Sequence, residues 1–131
     1  MIVLDTHAWV WFLADPGRLS RRARQAVDAE ARGGEIAVSS ISVWEIAMLV
    51  ERGRLTLTMD VDQWLAHAEA LPFLSFVPVN NRIALQSVRL RDFPGSDPAD
   101  RIIVATAMLL GATLVTRDER MRRYPRVRAI W

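Results

Sequence analysis

Short apolar runs alternate along this chain with longer stretches whose apolar residues recur at helical spacing, and that alternation leaves few folds open. "IVLD" (2–5), "IAVSS" (36–40), "FLSFVPV" (73–79) and "ATLVT" (112–116) read as buried strands, with "VRAIW" (127–131) as a further strand. Between them lie helices expected over residues 6–14, within "LSRRARQAVDAEAR", and over 42–53, 60–71 and 80–93, then one carried by "GSDPADRIIVATAML" (95–109). Strand followed by helix, repeated, implies right-handed crossovers, a parallel sheet of four to five strands and helices on both of its faces. Ligands of such sheets bind beyond the carboxyl ends of the strands, so that edge is where chemistry is sought.

Length and composition narrow the class. One domain spanning residues 1–131 is expected, because 51% hydrophobic residues supply a core and no repeat or linker divides the chain. There is no cysteine, which removes disulfides, thiolate metal sites and cysteine nucleophiles, and a reducing, cytoplasmic setting is expected. The N-terminal apolar run is interrupted by Asp5 and His7 and has no basic leader, so neither a membrane span nor a signal peptide is expected. All 17 basic residues are arginine, which excludes lysine Schiff bases and phosphate loops that need a lysine. Arginines crowd at 18–24 and 117–128, which suits an RNA-contacting face, although taken alone the pattern is better explained by two solvated surfaces.

Three acids fall at the carboxyl edge by their place in the chain, and a fourth, Asp100, must reach it by how its helix enters the sheet. Asp5 ends the first strand, Glu45 lies early in the helix after the second, Asp118 follows "ATLVT", and Asp100 sits in the first turn of its helix. Each has an ordinary structural account. Asp5 or Thr6 can cap the first helix, and "SVWE" (42–45) fits a capping box in which Glu45 bonds back to Ser42. Asp97 before Pro98 is an N-cap that leaves Asp100 favoured by the helix dipole, and Asp118 can start the last helix and pair with Arg122. Together they ask for more, because carboxylates crowded into a partly dry crevice repel one another unless a cation neutralises them. An all-oxygen set suits Mg²⁺ or Mn²⁺, which would support hydrolysis of a phosphodiester.

"IVLDTHAWVWFL", "SSISVWEIA", "SDPADRIIVATA" and "LVTRDERM" together resemble a PIN domain of the VapC type, the toxin ribonuclease of bacterial toxin–antitoxin pairs. The likeness spans essentially the whole chain, and "DPADRIIVATA" is its most specific part. It implies a three-layer α/β/α fold and Mg²⁺- or Mn²⁺-dependent cleavage of RNA by a homodimer that a cognate antitoxin protein silences. Asp5, Glu45, Asp100 and Asp118 match the family's acidic quartet, as catalytic residues and metal ligands. Thr6 and Thr116 match its supporting hydroxyls, and Asp97 matches a frequent extra acid. His7 stands where many relatives carry Asn or Ser. Trp9 and Trp11 are read as core and dimer interface with base stacking as the alternative, Trp44 and Trp64 as core, Trp131 as a terminal anchor and His67 as surface. One rival is a haloacid-dehalogenase-like phosphatase, which would want an acid at position 7 and a lysine. Another is a catalytically inactive PIN-like module that binds RNA or protein.

Overall fold

A computed structural model describes the chain from Met1 to Trp131. Five strands, β1 (Ile2–Leu4), β2 (Ile36–Ser39), β3 (Leu74–Val77), β4 (Thr113–Val115) and β5 (Ala129–Ile130), form one sheet in the order β3-β2-β1-β4-β5. Every pairing is parallel. The expected strands are all present, each one to three residues shorter than its apolar run. Seven helices complete the fold: α1 (Thr6–Ala14), α2 (Arg21–Gly33), α3 (Ser40–Glu51), α4 (Val61–Glu69), α5 (Asn81–Val88), α6 (Pro98–Leu110) and α7 (Glu119–Arg123). None is long and apolar enough to cross a membrane.

Alternation along the strands divides the core in two. Ile2 and Leu4 with Ile36 and Val38 face a cluster built with Trp9 of α1, Val27 of α2, Ile46 of α3 and Trp64 of α4. Val3, Ala37 and Leu114 face the other way, onto Ile103, Val104 and Ala107 of α6 and Met121 of α7. Helices therefore cover both faces of a sheet whose strands are buried on both sides, which is why the strand sequences are apolar throughout.

β1 is central, and the chain leaves it toward β2 on one side while β4 lies on the other. The crevice between the ends of β1 and β4 is the switch point of the sheet. Helix α6 opens onto it for a simple reason. It runs directly into β4 through Gly111, whose φ of 62° supplies the left-handed cap, so it must travel back across the sheet and begin at the carboxyl edge. Its first turn thus reaches the edge by topology alone.

Two elements begin or end away from their expected positions. Helix α3 starts at Ser40, capped by the Ser39 hydroxyl, which accepts from the amide of Ile41; Ser42 is inside the helix. The capping box expected at Ser42 and Glu45 is therefore absent, and Glu45 is free to turn elsewhere. Helix α5 stops at Val88 rather than near position 93, because Arg101 of α6 reaches over and takes the carbonyls that would otherwise be left over. Its guanidinium donates to the carbonyls of Ser87, Val88, Leu90 and Gly95. This ties the loop before α6 to the residue beside Asp100, as an arginine at a helix C-terminus is well placed to do.

Candidate active site

Asp5 and Thr6 follow β1 as the chain turns into α1. Asp5 is the N-cap, and its Oδ1 accepts from the backbone N–H of Thr6 at 2.7 Å. Its other oxygen, Oδ2, accepts from the Thr116 hydroxyl at 2.8 Å. Thr116 follows β4 and is fully buried; its oxygen also accepts from the Asp118 amide at 3.0 Å. One hydroxyl thus locks the end of β1 to the end of β4 across the switch point.

A second hydroxyl fixes Glu45. Thr6 Oγ1 donates to Glu45 Oε1 at 2.6 Å and lies 2.8 Å from Ser42 Oγ. Thr6 has one proton and gives it to the carboxylate, so Ser42 is the donor in the second contact. Buried Ser42, one turn before Glu45, is a member of the site that the sequence does not reveal, because its spacing from Glu45 also fits helix capping.

Asp97 caps α6, accepting with one oxygen from the amides of Ala99 and Asp100 at 2.8 and 3.1 Å, as expected from "DPAD". Asp118 caps α7. Its partner is Arg120 and not the expected Arg122, which pairs with Glu119 instead. Arg120 Nη2 donates to Asp118 Oδ2 at 2.8 Å and to Asp100 Oδ2 at 3.3 Å, while its Nε lies 3.3 Å from Asp118 Oδ1. The four sequence-predicted acids and Asp97 line one cavity of about 620 Å³, together with Thr6, His7, Trp11, Arg117 and Arg120. Thr116 supports it from beneath.

The electrostatics follow from this layout. Burial raises the pKa of Asp5 against the opposing bonds from Thr116 and Thr6. Burial also raises that of Glu45, with the Asp5 and Asp97 charges adding and the Thr6 bond opposing. Asp100 is pushed up to about 7, first by burial and then by Asp97, Asp5, Glu45 and Asp118. Asp118 moves the other way because Arg120 holds its charged form. The two acids share one guanidinium, but Asp118 has the shorter, forked contact and Asp100 only the longer single one.

The all-oxygen donors, the mutual repulsion and a guanidinium already lodged between two of the acids fit a hard divalent cation. No three acids, as placed, stand close enough to hold one ion together; Arg120 lies between two of them.

The tryptophans divide unevenly. Trp9 and Trp64 are core and in contact, with ring centroids 4.8 Å apart. Trp11 is half-buried on the cavity wall, near Trp131 at 5.7 Å and His7 at 5.8 Å, with the Arg18 guanidinium 4.8 Å above its ring. Trp44, expected in the core, is 57% exposed, because it lies on the opposite side of α3 from buried Ser42 and Ile46. His67 is on the surface, as expected.

The PIN domain family matches residues 2–127. Ribonuclease VapC22 of Mycobacterium tuberculosis (strain ATCC 25618 / H37Rv) is 41% identical over 134 residues, covering 99% of this chain and 98% of that protein. Among solved structures, FitAcB from Neisseria gonorrhoeae has a TM-score of 0.71 at 22% identity, covering 100% of this chain and 97% of that one. VapBC2 from Rickettsia felis, bound to a DNA fragment from its promoter, has a TM-score of 0.70 at 21% identity, covering 100% of this chain and 99% of that one.

The raised pKa of Asp100 predicts how stability depends on pH. Its ordinary value is 3.8 and its folded value about 7, so between these limits the folded protein holds a proton that the unfolded chain has released. That contribution is complete below the lower value and is lost as pH rises through the upper one. Asp5 and Glu45 act in the same direction, and Asp118 in the opposite direction only below its ordinary value of 3.8. In EDTA, the melting temperature is expected to fall from about pH 5 to about pH 8, with Asp100→Asn flattening the slope and melting higher at the alkaline end. Thermal scans across this range check it; an unchanged slope in the variant contradicts it.

Proposed function

The chain belongs to the PIN domain family, and on that footing we propose that it is a VapC-type toxin ribonuclease whose Asp5, Glu45, Asp100 and Asp118 form the metal-dependent catalytic site. The observation that carries the assignment is the convergence of all four acids, from four separate segments, on one cavity at the switch point of the sheet. Asp5, Asp100 and Asp118, with Glu45, would hold Mg²⁺ or Mn²⁺. Such an ion supplies Lewis acidity toward a phosphodiester and a source of hydroxide at neutral pH.

The chain's own residues provide the rest. Thr116 and the Thr6 amide hold Asp5 in one rotamer, and Thr6, itself held by Ser42, does the same for Glu45. These bonds keep the carboxylates aimed before any substrate arrives, so little reorganisation is needed at the moment of reaction. In hydrolysis, the water oxygen bonds to phosphorus, the phosphorus–oxygen bond to one ribose breaks, and the departing oxygen takes up a proton. Arg117 offers a planar cation to the RNA backbone, and the exposed His7 lines the same cavity. The inactive-module reading gives no reason for four intact acids braced by buried hydroxyls.

A cognate antitoxin protein is the expected partner, as in the toxin–antitoxin complex from Klebsiella pneumoniae, whose fold this chain shares. The homodimer is assigned to a surface that includes α3 and not to Trp11, which lies on the cavity wall. Helices α3 and α5 both pack on α6, and between them they expose Trp44, Leu85 and Val88, the last 77% exposed. Large apolar side chains left out in this way mark an interface. Light scattering on purified protein is expected to give a dimer, and Val88→Arg to shift it toward monomer; a monomeric wild type contradicts the assignment.

Activity tests the catalytic reading. Asp5→Asn and Asp100→Asn are each expected to lower the initial rate of RNA cleavage in Mn²⁺ by roughly a hundredfold or more, and EDTA to abolish it. Asp97→Asn keeps the cap and should change the rate little. Cleavage by Asp100→Asn at the wild-type rate, or by wild type in EDTA, rules out the assignment.

A further inference from the structure

Arg120 is the one basic side chain bonded to the acids of the candidate site. It is the second residue of α7, and its own amide donates to Asp118 Oδ1 at 2.8 Å while the guanidinium folds back to grip both Asp118 oxygens. The same Nη2 reaches Asp100 at 3.3 Å. A single cation therefore joins an acid from the end of β4 to an acid from the start of α6, the place where a shared divalent ion would have to sit.

We propose that Arg120 is a built-in competitor for the metal: its guanidinium pairs with Asp118 and bridges to Asp100 until a divalent cation displaces it. The proposal rests on the metal-dependent reading above and adds how that site is regulated. Three features support displacement over permanent pairing. The Arg120 side chain is 51% exposed, so its ion pairs are partly solvated and weak enough to give way to a doubly charged ion. It also has somewhere to go, since it forms part of the wall of a second cavity of about 370 Å³ that Asp92 and Glu119 help to line. Finally, Asp118 has both oxygens engaged by Arg120, so it cannot turn toward Asp5 and Asp100 as a ligand while the contact lasts. The contact offsets part of the repulsion around Asp118, and metal binding must overcome it.

Calorimetric titration of Mn²⁺ into the full chain, with thermal scans in EDTA and in Mn²⁺, tests this. Arg120→Gln is expected to bind Mn²⁺ about tenfold more tightly than wild type, because the competing fork is gone. In EDTA it should melt lower, because the acids lose their counter-charge, and its Mn²⁺-induced rise should be larger. Arg120→Lys, with a point charge and no fork, should fall between the two. Arg122→Gln removes the same charge from the same helix but pairs only with Glu119, so it should match wild type. Unchanged or weaker Mn²⁺ binding by Arg120→Gln, or an equal gain from Arg122→Gln, overturns the proposal. Absence of Mn²⁺ binding in wild type and Arg120→Gln alike would instead remove the metal-dependent reading, and this proposal with it.

Discussion

Gathering like charges in a crevice that water only partly reaches is the constraint around which the rest of this molecule is arranged. Four carboxylates and a fifth nearby face one cavity, and burial disfavours the charged forms of Asp5, Glu45 and Asp100. The fold tolerates this because each acid is held by specific donors. Asp5 and Asp97 accept from amides at helix starts, where the dipole favours negative charge. Glu45 accepts from a threonine hydroxyl, and Asp118 takes a guanidinium. Asp100 receives least and is correspondingly the acid whose pKa rises to about 7.

The sheet order explains why these acids meet. Asp5 and Thr116 close the two strands that flank the switch point, and the bond between them spans 111 positions of sequence. Helix α6 arrives at the same edge because it must run antiparallel to the strand it feeds. Arg101, next to Asp100, then fixes the angle of arrival by stapling the preceding loop through four carbonyls. The packing that stabilises the fold thus also aims the acids, so sites and core are not separable here.

Much of this is legible in the sequence, and the exceptions have physical causes. Asp5 and Asp118 can be placed because a residue just after a buried parallel strand has only one edge to occupy, and Asp97 because proline after an acid is a strong helix start. Glu45 is harder. The pattern "SVWE" satisfies a capping rule, but Ser39 caps α3 one turn sooner, and only the register of β2 shows where the strand stops. That shift frees Glu45 for Thr6 and buries Ser42 beside it. Trp44 departs from expectation for the same reason: large and apolar, it has the character of a core residue, yet its phase on α3 is set by which neighbours the helix meets. Arg120 eludes spacing rules too. Pairing four residues apart presumes helical geometry at both ends, whereas Asp118 is an extended N-cap, and from there the second residue of α7 is the nearer partner.

The central claim is that the cavity at the switch point is built to share one hard cation among its acids. A crystal structure of the protein grown with Mn²⁺, read by anomalous scattering at the manganese edge, tests it most directly. The account predicts an anomalous peak among Asp5, Asp100 and Asp118, at oxygen distances of roughly 2.0–2.2 Å, with Arg120 turned away from Asp100. Manganese bound elsewhere, or a cavity still bridged by Arg120 at saturating Mn²⁺, would contradict it.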